Sequence, residues 1–205
     1  SWAGFMKRRL CLASQSPRRA ELLRQAGFDF SIFAPQVDES AQPGESPHAL
    51  VERLSVLKAQ AAITDAPKEA AVCLAADTIV LLGSRVLGKP GNAIRSAQML
   101  SGLSGRSHQV LTAVTVTFAQ QLHSLVVTST VTFRQLSEDT IRDYCATGES
   151  FDKAGAYAIQ GLGGVFVQSL SGSYSAVMGL PLCETAELLG RAGLRPHWPR
   201  HENEQ

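Results

Sequence analysis

Val72-Cys73-Leu74-Ala75-Ala76-Asp77-Thr78-Ile79-Val80-Leu81-Leu82 is the stretch on which the fold turns. It is a long apolar run, interrupted only by Ala75-Ala76-Asp77-Thr78, and it predicts a strand with a charge set into it. Gly83-Ser84 after it predicts a hairpin turn into Val86-Leu87. Further on, His108 to Ala119 and Leu122 to Phe133 are dominated by Val, Thr and Leu. The short Gln120-Gln121 link between them predicts an antiparallel pair.

Helical signals surround these strands. Ser46-Pro47 is a cap followed by proline, and a helix is expected to about Ile63 with Leu50, Leu54, Leu57 and Ala61 on one stripe. Earlier, Arg9 to Ala13 suits a short buried strand, and Ser16-Pro17 opens a helix that Gly27 ends. Phe28 to Ala34 reads as a further strand, and Val37 to Glu45 as an acidic loop. Gly88-Lys89-Pro90-Gly91-Asn92 is a loop ending in an N-cap, with a helix through Leu100. Ser137 caps a helix to about Ala146. The glycine-rich stretch from Gly148 to Gly179 is expected to hold short strands near Tyr157 to Ile159 and Val165 to Leu170. A last helix spans about Cys183 to Ala192.

Helices and strands alternate early and antiparallel strands dominate later, so the expected class is α/β with a mixed sheet. Residues 7–195 are expected to form a single domain, with two lobes around a cleft as one arrangement. Residues 1–6 read as an expression remnant or disordered start, and residues 196–205 as a frayed polar tail.

The chain has 205 residues, 44% of them hydrophobic and 18% charged, enough for a substantial core. A net charge of +1 gives no overall field toward nucleic acid or an anionic membrane, so neither is an expected partner. No apolar run approaches the ~18–20 residues that cross a bilayer. The start does not read as a signal peptide. Cys11, Cys73, Cys145 and Cys183 are far apart, three among apolar neighbours, which predicts reduced thiols and a cytoplasmic protein. Neither the cysteines nor the histidines have zinc-ligand spacing.

Ser14-Gln15-Ser16-Pro17-Arg18-Arg19 joins a strand to a helix N-terminus, where free amides and the dipole favour an anion. Two hydroxyls and two guanidiniums add donors suited to phosphate. From this segment alone, a capped helix with two solvated arginines is the plainer reading. Asp77 interrupts an apolar strand and costs several kcal/mol to bury uncompensated, so it reads equally as a cleft carboxylate or as a residue at a solvent-facing strand end. Asp38-Glu39, Lys58 and Lys89 read individually as solvated surface charge. The glycines around Asp152-Lys153 allow close approach to a flat ligand, as an ordinary turn would too. There is no Walker A pattern, no G-x-G-x-x-G after a strand and no G-x-S-x-G elbow.

Together these segments say more. Leu12 through Arg19, Ala75 through Val80, Gly88-Lys89-Pro90, Ser104 through Val110, Asp152 through Gly161, and Gly172-Ser173-Tyr174 with Gly179 through Leu182 resemble, in order and wording, the Maf family of nucleoside triphosphate pyrophosphatases. The resemblance runs from about Leu10 to Leu194. Ser55, Ala176 and Met178 depart from it without removing a charge.

The resemblance implies a mixed, elongated β-sheet flanked by helices with a central cleft, similar to inosine triphosphate pyrophosphatases. It implies hydrolysis of a nucleoside triphosphate to monophosphate and pyrophosphate with a divalent metal, Mg or Mn, and it suggests a homodimer. Carried over by position, Asp77 is the catalytic carboxylate, and Arg19, Thr78 and Gln160 are the specificity positions. Ser14, Ser16, Arg18, Lys58 and Lys89 line the phosphates, and Glu39 joins Asp77 on the metal. The run Ala156 through Gly161 looks like the branch that takes dTTP and UTP. The branch that takes 7-methyl-GTP usually has glutamate where this chain has Gln160. A neutral amide offers both a donor and an acceptor to uracil or thymine, whereas a carboxylate only accepts. The alternatives are a 7-methyl-GTP pyrophosphatase and a nucleotide-sensing regulator without chemistry.

Overall fold

A computed structural model describes residues 8–67 and 70–202. The expected start at residues 1–6 and the last three residues of the expected tail lie outside the described residues.

The strands are β1 (Arg9–Leu12), β2 (Ser31–Ile32), β3 (Ala70–Leu82), β4 (Arg85–Leu87), β5 (Ser107–Phe118), β6 (Gln121–Phe133) and β7 (Val167–Ser171). They form one seven-stranded mixed sheet in the order β2-β1-β3-β5-β6-β7, with β4 also pairing β3. β1 runs parallel to β2 and β3, and the remaining pairs are antiparallel. The apolar run that opened the reading is the central strand, continuous through Asp77. The expected mixed α/β class holds.

Period-2 alternation sends the residues of β3 to two different covers. Val72, Leu74 and Ala76 pack with Leu22 and Leu23 of α1 (Pro17–Gln25) and Leu188 and Leu189 of α6 (Leu182–Arg191). Further along the same face, Val80 packs with Leu100 and Leu103 of α3 (Ala93–Leu103) and Ile141 of α4 (Glu138–Ala146). Cys73 and Ala75, with Ile79 and Leu81 beyond, face α2 (Pro47–Asp65) through its Ala59, Ala62 and Val51. The first face thus carries two separate apolar clusters, and Thr78 lies between them.

The expected helix starts are present. Ser16, Ser46, Asn92 and Ser137 each accept the amide proton three residues on, so the chain ends strands and enters helices where the caps stand. The sequence does not reveal α5 (Tyr174–Met178), a short helix capped by Ser173.

Four expectations need correction. The strand at Phe28 to Ala34 is only Ser31–Ile32, an edge strand held by two register pairs with β1 and exposed at both residues. On α2 the fully buried positions are Val51, Leu54, Ser55, Ala59 and Ala62, offset from the expected Leu50, Leu57 and Ala61. Ser55 is the polar member of that buried set, its hydroxyl meeting Thr115 Oγ1 at 2.6 Å. Tyr157 to Ile159 is not a strand, because tight helical turns at Ala154–Ala156 and Leu162–Phe166 take up the glycines around it. β7 accordingly begins at Val167. The tail is tied down at its start: His197 N donates to Gly27 O at 2.8 Å, and the Trp198 indole donates to Ala26 O at 2.9 Å. Gly27 has φ +94°, and a Cβ there would meet His197 O at 2.8 Å, so the helix stop is also the tail's seat.

No helix among the described residues is long and apolar enough to cross a membrane.

Candidate active site

The site begins as a gap in the sheet. β1 covers one edge of β3 only as far as Leu74, where Ala13 N donates to Leu74 O at 2.8 Å. β4 takes up the same edge only from Val80. Between them that edge of Asp77 and Thr78 has no strand beside it among the described residues. Residues of the loop leaving the carboxyl end of β1 and of the loop leaving β4 line one hollow, at strand ends where ligands commonly bind in open α/β sheets. A cleft of about 780 Å³ results.

The cleft is rich in cationic groups. Ser14, Ser16, Arg18 and Arg19 line it from the β1–α1 junction, Lys58 from α2 and Lys89 from the loop after β4. Glu39 joins them from the acidic loop. Val80, Val110, Tyr157, Ile159 and Val177 give the same cleft an apolar share. Asp152 and Lys153 also line it, as an ion pair at 3.0 Å near the Lys89 loop, whose Gly88 O accepts from Gly155 N at 3.2 Å. The Tyr157 hydroxyl meets His108 Nε2 at 2.7 Å, and burial pushes the His108 imidazole down to about 4, so it is neutral.

Arg19 is the structural hub. Its Nε donates to Gly179 O at 2.7 Å, its Nη2 to Thr78 Oγ1 at 3.0 Å and its Nη1 to Ser14 Oγ at 3.4 Å. The chain then has a direction. Thr112 Oγ1 donates to Ala176 O at 2.7 Å, so it can only accept from Thr78 at 3.0 Å. Burial lowers the Arg19 pKa, opposed by Asp77 and Glu39.

The two serines are also committed as acceptors. Ser14 Oγ takes the Ser16 amide at 3.1 Å, and Ser16 Oγ takes the Arg19 amide at 3.3 Å. Ser14, which also accepts from Arg19 Nη1, has only its hydroxyl proton left, and Ser16 keeps its proton too; an anion is what such donors suit.

Asp77 and Glu39 share one cation. Lys58 Nζ lies 3.0 Å from Asp77 Oδ1 and 2.7 Å from Glu39 Oε1. The Asp77 side chain is 13% exposed and that of Glu39 61%. Burial raises the Asp77 pKa and Glu39 adds to it, while Lys58 and Arg19 oppose. Glu39 moves the other way, lowered chiefly by its bond to Lys58.

The structure therefore brings Ser14, Ser16, Arg18, Arg19, Glu39, Lys58, Thr78 and Lys89 to one cleft. Asp77 lies behind Lys58 and beside Thr78, in contact with the group but outside the lining. Gln160 is exposed and is not among the lining residues, although its neighbour Ile159 is. Thr112, which orients Thr78, carried no sequence signal, and His108 and Gly179, which orient Tyr157 and Arg19, stand in segments that carry the resemblance without having been given a role.

The donor set fits a hard divalent cation. Two carboxylates already converge on one positive charge, and both offer oxygen. Among the described residues, no group of three or more His, Cys, Asp or Glu is placed to hold a metal, so phosphate and water oxygens have to complete any such shell.

Residues 9–192 match the family of Maf-like proteins. A dTTP/UTP pyrophosphatase of Pseudoalteromonas atlantica is 52% identical over 188 residues, 90% of this chain and 97% of that protein. Proteins of the same name from Vibrio parahaemolyticus and Shigella dysenteriae are 51% and 49% identical, covering 88% and 94% of this chain and 95% and 98% of theirs. Among solved structures, the Ham1 protein of Staphylococcus aureus is 15% identical with a TM-score of 0.43, covering 63% of this chain and 72% of that one. With its cleft built at the gap in β3 and its residues matched across nearly the whole domain, this chain belongs to the Maf family.

Proposed function

We propose that this protein hydrolyses dTTP and UTP to the monophosphate and pyrophosphate. The observation that carries the reading is the cleft itself: Arg18, Arg19, Lys58, Lys89 and two serines line it together with apolar residues, and Glu39 of the lining shares Lys58 with Asp77. A triphosphate has a polyanionic end and a flat, weakly polar end, and a lining that holds both cationic and apolar groups suits them. Relatives near 50% identity that carry this activity by name support the same substrate class.

In the reaction, a water oxygen bonds to the alpha phosphorus as the bond from that phosphorus to the bridging oxygen breaks, and pyrophosphate leaves with the electron pair. Asp77 orients the water and takes its proton. Burial suits it for the task, because a raised pKa makes a carboxylate a better base. Arg18, Lys58 and Lys89 neutralise the charge that collects on the leaving pyrophosphate, and Ser14 and Ser16 donate to phosphate oxygens. Arg19 ties Thr78 to the helix N-terminus and keeps the cradle in register with β3. Asp77 and Glu39 would hold a divalent cation, which supplies polarisation of the phosphate oxygens and acidification of water when bound.

The test is a panel of triphosphates, including UTP, dTTP, ATP and 7-methyl-GTP, assayed for pyrophosphate with and without Mg²⁺ or Mn²⁺. Pyrophosphate from UTP and dTTP in preference to the others, and only with metal, is the expected result. Preference for 7-methyl-GTP ends the pyrimidine assignment. Tight triphosphate binding without pyrophosphate release makes the protein a sensor.

A further inference from the structure

The turn that carries Gln160 is gripped from outside the cleft. Gly161 N donates to Ala158 O at 3.0 Å, closing a four-residue turn with Gln160 in its third place. On one flank Ala158 N donates to the Tyr144 hydroxyl at 3.3 Å. On the other, Leu162 N and Gly163 N donate to the two oxygens of Glu149 at 2.9 and 3.1 Å. Tyr144 completes the ring by donating its own proton to Glu149. Tyr144 comes from α4 and is buried with its ring edge against Phe166, so the grip is fixed to the helical layer. Neither residue is among those lining the cleft.

Two glycines fit this grip. A Cβ on Gly161 would collide with the Glu149 carboxylate, and one on Gly163 would stand 2.9 Å from the Tyr144 hydroxyl. Burial raises the Glu149 pKa, but the Tyr144 hydroxyl, the two amides and the charge of Arg18 outweigh it, and the group stays ionised. A charged acceptor holding three donors is a stiff joint.

We propose that Tyr144 and Glu149 are positioning residues that fix the turn carrying Gln160, exposed beside the lining residue Ile159, in the place from which Gln160 selects the nucleobase. The proposal rests on the pyrimidine triphosphate reading above. Discrimination between bases by an amide needs that amide held within a fraction of an ångström, and a turn free to shift accepts several bases.

The experiment uses the full chain with Tyr144→Phe, the near-isosteric Glu149→Gln, Gly161→Ala, Gln160→Ala, and the Tyr144→Phe/Gln160→Ala pair. Pyrophosphate release from UTP and from ATP is measured, with thermal melting as a check on folding. Each clamp variant is expected to raise KM for UTP about five- to tenfold, the scale of one or two lost hydrogen bonds, with kcat within about twofold. The preference for UTP over ATP falls by a similar factor. Because the clamp acts through the turn, the pair is expected to discriminate no worse than Gln160→Ala alone. Unchanged preference in folded clamp variants, loss of kcat with preference intact, or effects of Tyr144→Phe and Gln160→Ala that multiply would each overturn the proposal. A wild type that releases no pyrophosphate from UTP or ATP overturns the pyrimidine reading and the clamp with it. A wild type that prefers UTP, with clamp variants that keep that preference, overturns the clamp alone.

Discussion

Asp77 and Thr78 are successive residues of β3, yet Asp77 Oδ1 accepts from Lys58 at 3.0 Å on one face of the sheet while Thr78 Oγ1 accepts from Arg19 at 3.0 Å on the other. A strand inside a continuous sheet separates two such residues by its own thickness and its paired neighbours. Here the edge beside them is open between the end of β1 and the start of β4 among the described residues: Thr78 lines the cleft directly, and Asp77 meets it through Lys58. The strand alternation that hides buried residues from each other thus brings an acid from beneath the sheet and a hydroxyl from above it to one site.

Asp77→Asn is expected to abolish pyrophosphate release, by at least about 10²-fold if the carboxylate is the base. It is also expected to raise the melting temperature at pH 7. The sign follows from burial: the folded pKa of Asp77 lies above its usual value, so the stability linked to this group is fully present below the unfolded pKa and is lost as pH rises through the folded one. The neutral amide does not suffer that loss. The advantage of the variant should shrink to nothing below about pH 4, near the ordinary aspartate pKa. Melting curves of both proteins between pH 3 and 8 check it; a less stable variant at pH 7 contradicts it.

Lys58→Met is expected to move the acid limb of kcat/KM to higher pH. Lys58 opposes the rise in the Asp77 pKa, and Glu39 adds to that rise, so removing the ammonium leaves two carboxylates facing each other. A pH–rate profile for UTP measures the limb. A limb that stays put or moves to lower pH assigns the titrating base elsewhere.

Much of this frame was legible. Ser16-Pro17, Ser46-Pro47, Asn92 and Ser137 announced four helices because a cap is a local property of side chain and backbone. The cationic residues were visible as types, and the family resemblance gave them roles, but nothing local says that β1 stops at Leu12 and leaves an edge open. Ser55 misled for a related reason: a hydroxyl buried against Thr115 looks polar in sequence and behaves as core. Tyr144, Glu149 and Thr112 act through backbone groups and hydroxyls far away in sequence, and no spacing encodes such partners.

The β5–β6 turn offers a stability test away from the site. Phe118 pairs with Gln121, and the two residues between, Ala119 and Gln120, have φ of 46° and 62°. Side chains other than Gly, Asn and Asp are strained there. Ala119→Asn with Gln120→Gly is expected to stabilise the protein by about 1 kcal/mol without altering turnover. Urea unfolding and the pyrophosphate assay check both halves, and a destabilised double variant contradicts the assignment of strain.

The thiols predict a stoichiometry. Cys11 and Cys73 are opposite each other on β1 and β3, and with Cys145 they are buried, whereas Cys183 is exposed. The bond from Cys73, offset by burial, brings Cys11 down to about 7, but a thiolate that solvent does not reach reacts slowly. One thiol per chain should react rapidly with a water-soluble disulfide reagent in the native protein, and four in denaturant. Rapid reaction of two or more native thiols contradicts the burial of Cys11, Cys73 and Cys145.

The central claim is that the cleft directs water to the alpha phosphorus of a bound triphosphate, and hydrolysis of UTP in ¹⁸O-labelled water tests it directly. Mass spectrometry of the products should find one labelled oxygen in UMP and none in pyrophosphate. Label in the pyrophosphate, or release of orthophosphate in its place, would contradict the account.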